Sequence, residues 1–151
     1  YVEAYERSQK RLRELLPVAE ETKVVIAVEN VWNKFLLSPL EFAKYVDEFE
    51  SPWLQAYFDI ANNILYGYSE DWIRTLGKRI RAIHIKDFTR NGSKWNDLPY
   101  EGDVNWPECR KALAEVGFTG WLTEEFGKSD EAHLRELARR MRLFTEGAEK
   151  P

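Results

Sequence analysis

Four short stretches of this sequence each run from apolar residues into a side chain that could bind a cation. They are Val24-Val-Ile-Ala-Val-Glu29, Gln55-Ala-Tyr-Phe-Asp59-Ile60, Arg81-Ala-Ile-His84-Ile-Lys86-Asp87-Phe88 and Gly120-Trp-Leu-Thr-Glu-Glu125-Phe126. Read as strands, successive side chains alternate between two faces. Glu29 then shares a face with Val25 and Ala27, Asp59 with Gln55 and Tyr57, His84 with Ala82 and Lys86, and Glu125 with Trp121 and Thr123. The opposite faces are mostly apolar (Ile26 and Val28, Ala56 and Phe58, Ile83 and Ile85, Leu122 and Phe126) and suit packing beneath helices. Parity selects Glu125 over its neighbour Glu124. Taken singly, Glu29 reads as a solvated strand end, Asp59 as a turn former, His84 as a satisfied core histidine and Lys86 as an ion-pair partner. Together, in a curved sheet with the strands side by side, Glu29, Asp59, His84 and Glu125 converge. Three crowded carboxylates repel one another, and a divalent cation is the usual resolution. Three oxygens and one imidazole suit Mn²⁺, Mg²⁺ or Co²⁺, with Zn²⁺ also compatible.

The elements between these strands read as helices. Residues 3–22 carry Leu12, Leu15, Leu16 and Ala19 at helical spacing, with Pro17 expected to kink or break the helix. Ser38-Pro39-Leu40-Glu41 is a capping box with proline at the first helical position, predicting a helix to about Glu50 with Phe42, Tyr45, Val46 and Phe49 inward. Ser69-Glu70-Asp71 starts another, to about Lys78. A long polar connection, Thr89 to Asp103, leads to a helix capped at Asn105 and stopped by Gly117. Ser129 caps the last, with Leu134, Leu137, Met141 and Phe144 inward and His133 on its surface. Strands alternating with helices imply an α/β fold with a parallel sheet, whose chemistry lies at the strands' C-terminal ends.

Composition narrows the classes. With 151 residues, 44% of them apolar, the chain suits one domain over residues 1–151. No run approaches the roughly 18 apolar residues of a membrane span. A net charge of −4 argues against a nucleic-acid binder. The lone cysteine, Cys109, excludes an intrachain disulfide and fits a reducing cytoplasm.

The strand ends Ala27-Val-Glu29-Asn30, Phe58-Asp59-Ile-Ala-Asn62, Ile83-His84-Ile-Lys86-Asp87 and Trp121-Leu-Thr-Glu-Glu125 resemble the xylose-isomerase-like TIM barrel superfamily, particularly its sugar-phosphate isomerases and ketose 3-epimerases. Glu101-Gly102-Asp103-Val104-Asn105-Trp106 is similar to that family's stretch before a helix. The resemblance implies one divalent cation, Mn²⁺ first, held by Glu29, Asp59, His84 and Glu125. It implies that Glu29 and Glu125 are also the acid/base pair, moving a proton beside the carbonyl of a ketose or ketose phosphate through a metal-stabilised enediolate. It further implies substrate contacts from Asn62, Lys86, Arg90 and Glu101. Asn62 stands where some ketose 3-epimerases carry histidine, as in relatives that handle phosphates.

A (β/α)8 barrel has eight strands and about 250 residues. Four strands and a leading helix resemble its C-terminal half. The expectation is a fragment of a longer protein, as the opening at Tyr1 suggests, or a half barrel completed by its missing half or a second copy. Competing functional readings are a metal-dependent dehydratase on a keto-sugar and an inactive half-barrel fragment. A histidine-rich multi-zinc endonuclease site fits poorly with two histidines.

Overall fold

Four parallel strands, each separated from the next by a helix, build the sheet of the computed structural model, which describes residues 1–125 and 130–147. Helix α1 (Val2–Thr22) leads into β1 (Ile26–Glu29), α2 (Pro39–Asp47), β2 (Leu54–Asp59), α3 (Ser69–Leu76) and β3 (Ile80–Ile85). A hairpin of β4 (Asp87–Thr89) and β5 (Lys94–Asn96) follows, then α4 (Trp106–Glu115), β6 (Trp121–Glu124) and α5 (Glu131–Glu146). The main sheet has the order β1-β2-β3-β6, all parallel, so β1 and β6 are its edges. This is a partial (β/α) barrel.

The caps form as their residue types require. Ser38 accepts the Glu41 N–H at 3.1 Å with Pro39 at the first turn, and Asn105 accepts the Glu108 N–H with Pro107 beside it. The Glu41 carboxylate reaches back to the Leu37 N–H and the Tyr1 hydroxyl. The expected Ser129 cap lies outside the described residues. Asp130 supplies the cap of α5 instead, accepting from the His133 N–H.

One continuous core lies between the sheet and α2, α3 and α4. Ala56, Phe58, Ile83 and Ile85 point into it from the strands, while Phe42, Tyr45, Val46, Phe49, Trp72, Ile73 and Leu76 descend from the helices. Burying such side chains yields roughly 1.5–3 kcal/mol each before the entropy of ordering them.

Several expectations require correction. Helix α1 runs through Pro17 without a break, held by Tyr5, Leu12 and Leu16 packing on the core. Leu15 and Leu134 face solvent, each about half exposed, because the helices they sit on are covered along one stripe only. Val24 precedes β1 and is exposed, and β1 itself is only half-buried, since no strand among the described residues covers its outer edge. Helix α2 ends at Asp47, before Glu50 adopts a left-handed backbone. His133 is half-buried rather than on the open surface of its helix. Finally, the supposed polar connection contains the β4–β5 hairpin, turning at Arg90–Ser93 with Gly92 at φ 85°.

No helix among the described residues is long and apolar enough to cross a membrane.

Candidate metal centre

Register decides which side chains meet. Asp59 pairs with His84 across β2 and β3, Glu29 lies opposite Tyr57, and β6 aligns Thr123 with His84. Glu29, Asp59 and His84 therefore leave the same face at the same end, and Glu125 follows one residue beyond β6. One donor atom from each of Glu29, Asp59, His84 and Glu125 lies within 4.8 Å of the others. His84 Nδ1 is 2.9 Å from Glu29 Oε1, 3.9 Å from Asp59 Oδ2 and 4.0 Å from Glu125 Oε2. Glu124 points to the other face, where burial raises its pKa.

The backbone around Asp59 is set by Asn30. Its side chain continues the β1–β2 ladder past Glu29, donating Nδ2 to the Asp59 carbonyl at 3.0 Å and accepting the Asp59 N–H at 2.7 Å. Asp59 Oδ1 accepts the N–H groups of Ala61 and Asn62. Its other oxygen, Oδ2, is sealed from water and lacks a well-directed hydrogen bond, although Lys86 Nζ lies 2.9 Å away as an ion pair. Lys86 also bonds Glu125 Oε2 at 2.7 Å. Beside His84, the tilted ring of Tyr57 lies 4.1 Å away between centroids, and its hydroxyl bonds Thr123.

The electrostatics follow from this crowding. Burial pushes Asp59 up to about 6, against the ammonium of Lys86, which favours the ionised form. The hydrogen bond to Glu29 raises His84, outweighing its burial. The hydrogen bond from Lys86 holds Glu125 below the ordinary carboxylate range. Burial disfavours the Lys86 ammonium, but Asp59 and Glu125 more than compensate and raise its pKa. The donor set fits a divalent cation: three hard carboxylate oxygens and one imidazole nitrogen, with the buried Asp59 Oδ2 among them lacking a well-directed hydrogen bond.

The remaining residues expected at the site are engaged differently. Asn62 is buried, its Nδ2 donating to the Asn30 carbonyl and its own carbonyl accepting Trp32 Nε1. Arg90 donates Nε to the Ile64 carbonyl and its backbone N–H to Asp103. Glu101 pairs with Arg140 on α5 at 3.3 Å. Of the four expected substrate contacts, Lys86 pairs with Asp59 and Glu125 through its ammonium, and Asn62 meets Asp59 through its backbone N–H.

Asp87 carries a structural role that parity does not reveal. Fully buried, its carboxylate accepts from the N–H groups of Phe88, Gly102 and Val104 and from Trp106 Nε1. It thereby ties the hairpin to the connection before α4. A Cβ on Gly102 would collide with Asp87 Oδ1 and the Phe88 carbonyl, so only glycine fits there.

Comparison with known proteins places this architecture. Residues 1–144 match the model of the xylose isomerase-like TIM barrel family. The chain belongs to that family. It is 29% identical over 148 residues to L-ribulose-5-phosphate 3-epimerase UlaE of Escherichia coli O1:K1, covering 92% of this chain and 51% of the relative. Among solved structures, a xylose isomerase domain protein from Planctomyces limnophilus is 25% identical with a TM-score of 0.74, covering 94% of this chain and 51% of that one. D-psicose 3-epimerase from Clostridium cellulolyticum H10, solved with D-tagatose, shares the fold at TM-score 0.77 and 22% identity, covering 97% and 57%. The chain thus spans about half the length of the curated relatives it matches.

Proposed function

We propose that the protein carrying this chain is a divalent-metal-dependent epimerase or isomerase of a ketose or ketose phosphate, working in the cytoplasm, that moves a proton beside the carbonyl. The carrying observation is the meeting of three carboxylates and one imidazole within 4.8 Å at the same end of four adjacent parallel strands. Similarity to L-ribulose-5-phosphate 3-epimerase supports a ketose phosphate as substrate. Glu29, Asp59, His84 and Glu125 would hold the cation, Mn²⁺ first, which when bound polarises a carbonyl oxygen and stabilises developing negative charge beside it.

The chain's own groups divide the remaining work. Glu29 and Glu125 come from the two outer strands of the sheet, which suits carboxylates on opposite sides of a flat substrate. One takes the proton from the carbon next to the carbonyl, and the other returns a proton to the opposite face, inverting that carbon. Lys86 keeps Glu125 ionised and so ready to accept a proton. Asp59, held by Asn30 from behind, orients without moving. The missing half of the barrel, or a second copy, closes the sheet over the substrate.

The test is exchange in D2O. Metal-stripped protein, reloaded with Mn²⁺, is given a panel of ketoses and ketose phosphates and followed by NMR. Inversion with deuterium entering beside the carbonyl supports the reading. Loss of water to a diketo product points to a dehydratase instead. No exchange on any sugar with any divalent ion sinks it.

A further inference from the structure

Beside the four converging groups stands an aromatic cluster that metal chemistry does not use. Trp32, three residues past Glu29, meets Phe88 at 5.1 Å and Trp95 at 4.8 Å between ring centroids. Trp95 is paired with Phe88 across the hairpin, and their rings lie 4.8 Å apart. Phe88 is fully buried and forms the base, yet Trp32 and Trp95 remain 44% and 39% exposed. Two indoles left in water at such a junction cost hydration free energy unless something covers them.

Both rings are fixed in place. Trp32 Nε1 donates to the Asn62 carbonyl at 2.6 Å. The hairpin under Trp95 is anchored by Asp87 and by Asn96 Nδ2 on the Thr89 hydroxyl. The decisive link is Lys86: its Nζ sits 4.7 Å over the Trp95 ring, 2.9 Å from Asp59 Oδ2 and 2.7 Å from Glu125 Oε2. A single ammonium therefore links the indole surface to two of the candidate ligands.

We propose that Trp32 and Trp95 form a stacking wall for the carbon chain of a ketose whose oxygens face the Glu29–Asp59–His84–Glu125 group. The proposal rests on the sugar-epimerase reading and adds to it. A sugar carries one side rich in C–H bonds and another rich in hydroxyls, so an apolar, polarisable indole face takes the first while the charged group takes the second. Lys86 stands at the seam, its cation against the Trp95 face and its donors toward hydroxyls or a phosphate. Recognition by this wall selects for ketoses with an uninterrupted C–H face and makes Trp95 a substrate-contacting residue on an element that carries no metal-type ligand.

The experiment uses the protein carrying this chain, its Trp95→Ala, Trp95→Phe and Trp32→Ala variants, and three readouts. Ketose and ketose-phosphate binding is followed by saturation-transfer NMR, turnover by KM and kcat, and Mn²⁺ affinity by calorimetry without sugar. The expected result is a rise in sugar Kd or KM of about tenfold or more for Trp95→Ala, smaller for Trp95→Phe, with Mn²⁺ affinity unchanged. Unchanged sugar binding in both alanine variants overturns the wall, and so does a parent protein that binds Mn²⁺ but no sugar. Sugar binding that depends on Trp95 without inversion of any ketose leaves the wall standing and sinks the epimerase reading. Inversion with an unaltered KM in both alanine variants sinks the wall alone.

Discussion

The side chain of Asn30 hydrogen-bonds both the N–H and the carbonyl of Asp59, acting as one more residue of β1 where the strand's own backbone has turned away. Asp59 thus receives ladder geometry from a side chain. Its buried carboxylate stays aimed at His84 while the chain leaves the sheet. Asn30→Ala deletes both bonds and strands two buried polar groups, so the expected loss is about 2–3 kcal/mol in urea unfolding, together with weaker Mn²⁺ binding. Asn30→Asp restores the acceptor toward the Asp59 N–H but turns an oxygen toward its carbonyl, and recovers little.

Removing a ligand-type group should show directly in metal binding. Glu125→Gln, measured by calorimetry with Mn²⁺, should lower affinity by about 10–100-fold, and His84→Ala by at least as much. In the parent protein, a Mn²⁺ concentration of about 100 times Kd should add about 2.7 kcal/mol of stability, and EDTA should remove it. Equal affinity in parent and both variants would place the ion elsewhere.

Two groups at the centre have folded pKa values above their unfolded ones: Asp59, raised by burial to about 6, and His84, raised by its bond to Glu29. For both, the folded state holds its proton more tightly. The stability they contribute is present below their unfolded pKa values and is lost as pH rises through the folded ones. Without metal, the protein should therefore melt at a lower temperature at pH 7.5 than at pH 5. A bound cation needs both groups deprotonated, so with Mn²⁺ the trend reverses and affinity rises between pH 5 and 7.5. Melting curves at the two pH values, with and without Mn²⁺, check the crossing.

Asp87 holds four donors in a buried pocket, with no ion pair to it among the described residues. Asp87→Asn turns an NH2 group toward either the Gly102 and Trp106 donors or the Phe88 and Val104 donors. The expected loss is about 2–4 kcal/mol. Gly102→Ala should loosen the hairpin by a different route, through collision with Asp87 and Phe88. Both variants should expose Trp95 further, visible as a red shift in its fluorescence.

Much of this architecture was legible because its signals are local. Ser38-Pro39-Leu40-Glu41 and Asn105-Trp106-Pro107 form caps through contacts only three residues apart, and side-chain parity in a strand is fixed by the backbone. Parity therefore brings Glu29, Asp59, His84 and Glu125 to one face without knowledge of the rest of the fold. What was hidden depends on partners distant in sequence. The exposure of Leu15 turns on which stripe of α1 meets α2. The burial of Asn62 turns on the Asn30 carbonyl 32 residues earlier. The β4–β5 hairpin left only Asn91-Gly92 as a trace, since three-residue strands are too short to display alternation. The role of Asp87 was hidden because its four donors are backbone and indole groups, three of them 15 to 19 residues away in sequence.

The four converging groups all stand at, or one residue past, the ends of neighbouring strands of this one chain. A change in whatever faces them across the open side therefore leaves the four donor atoms where this chain's own backbone puts them.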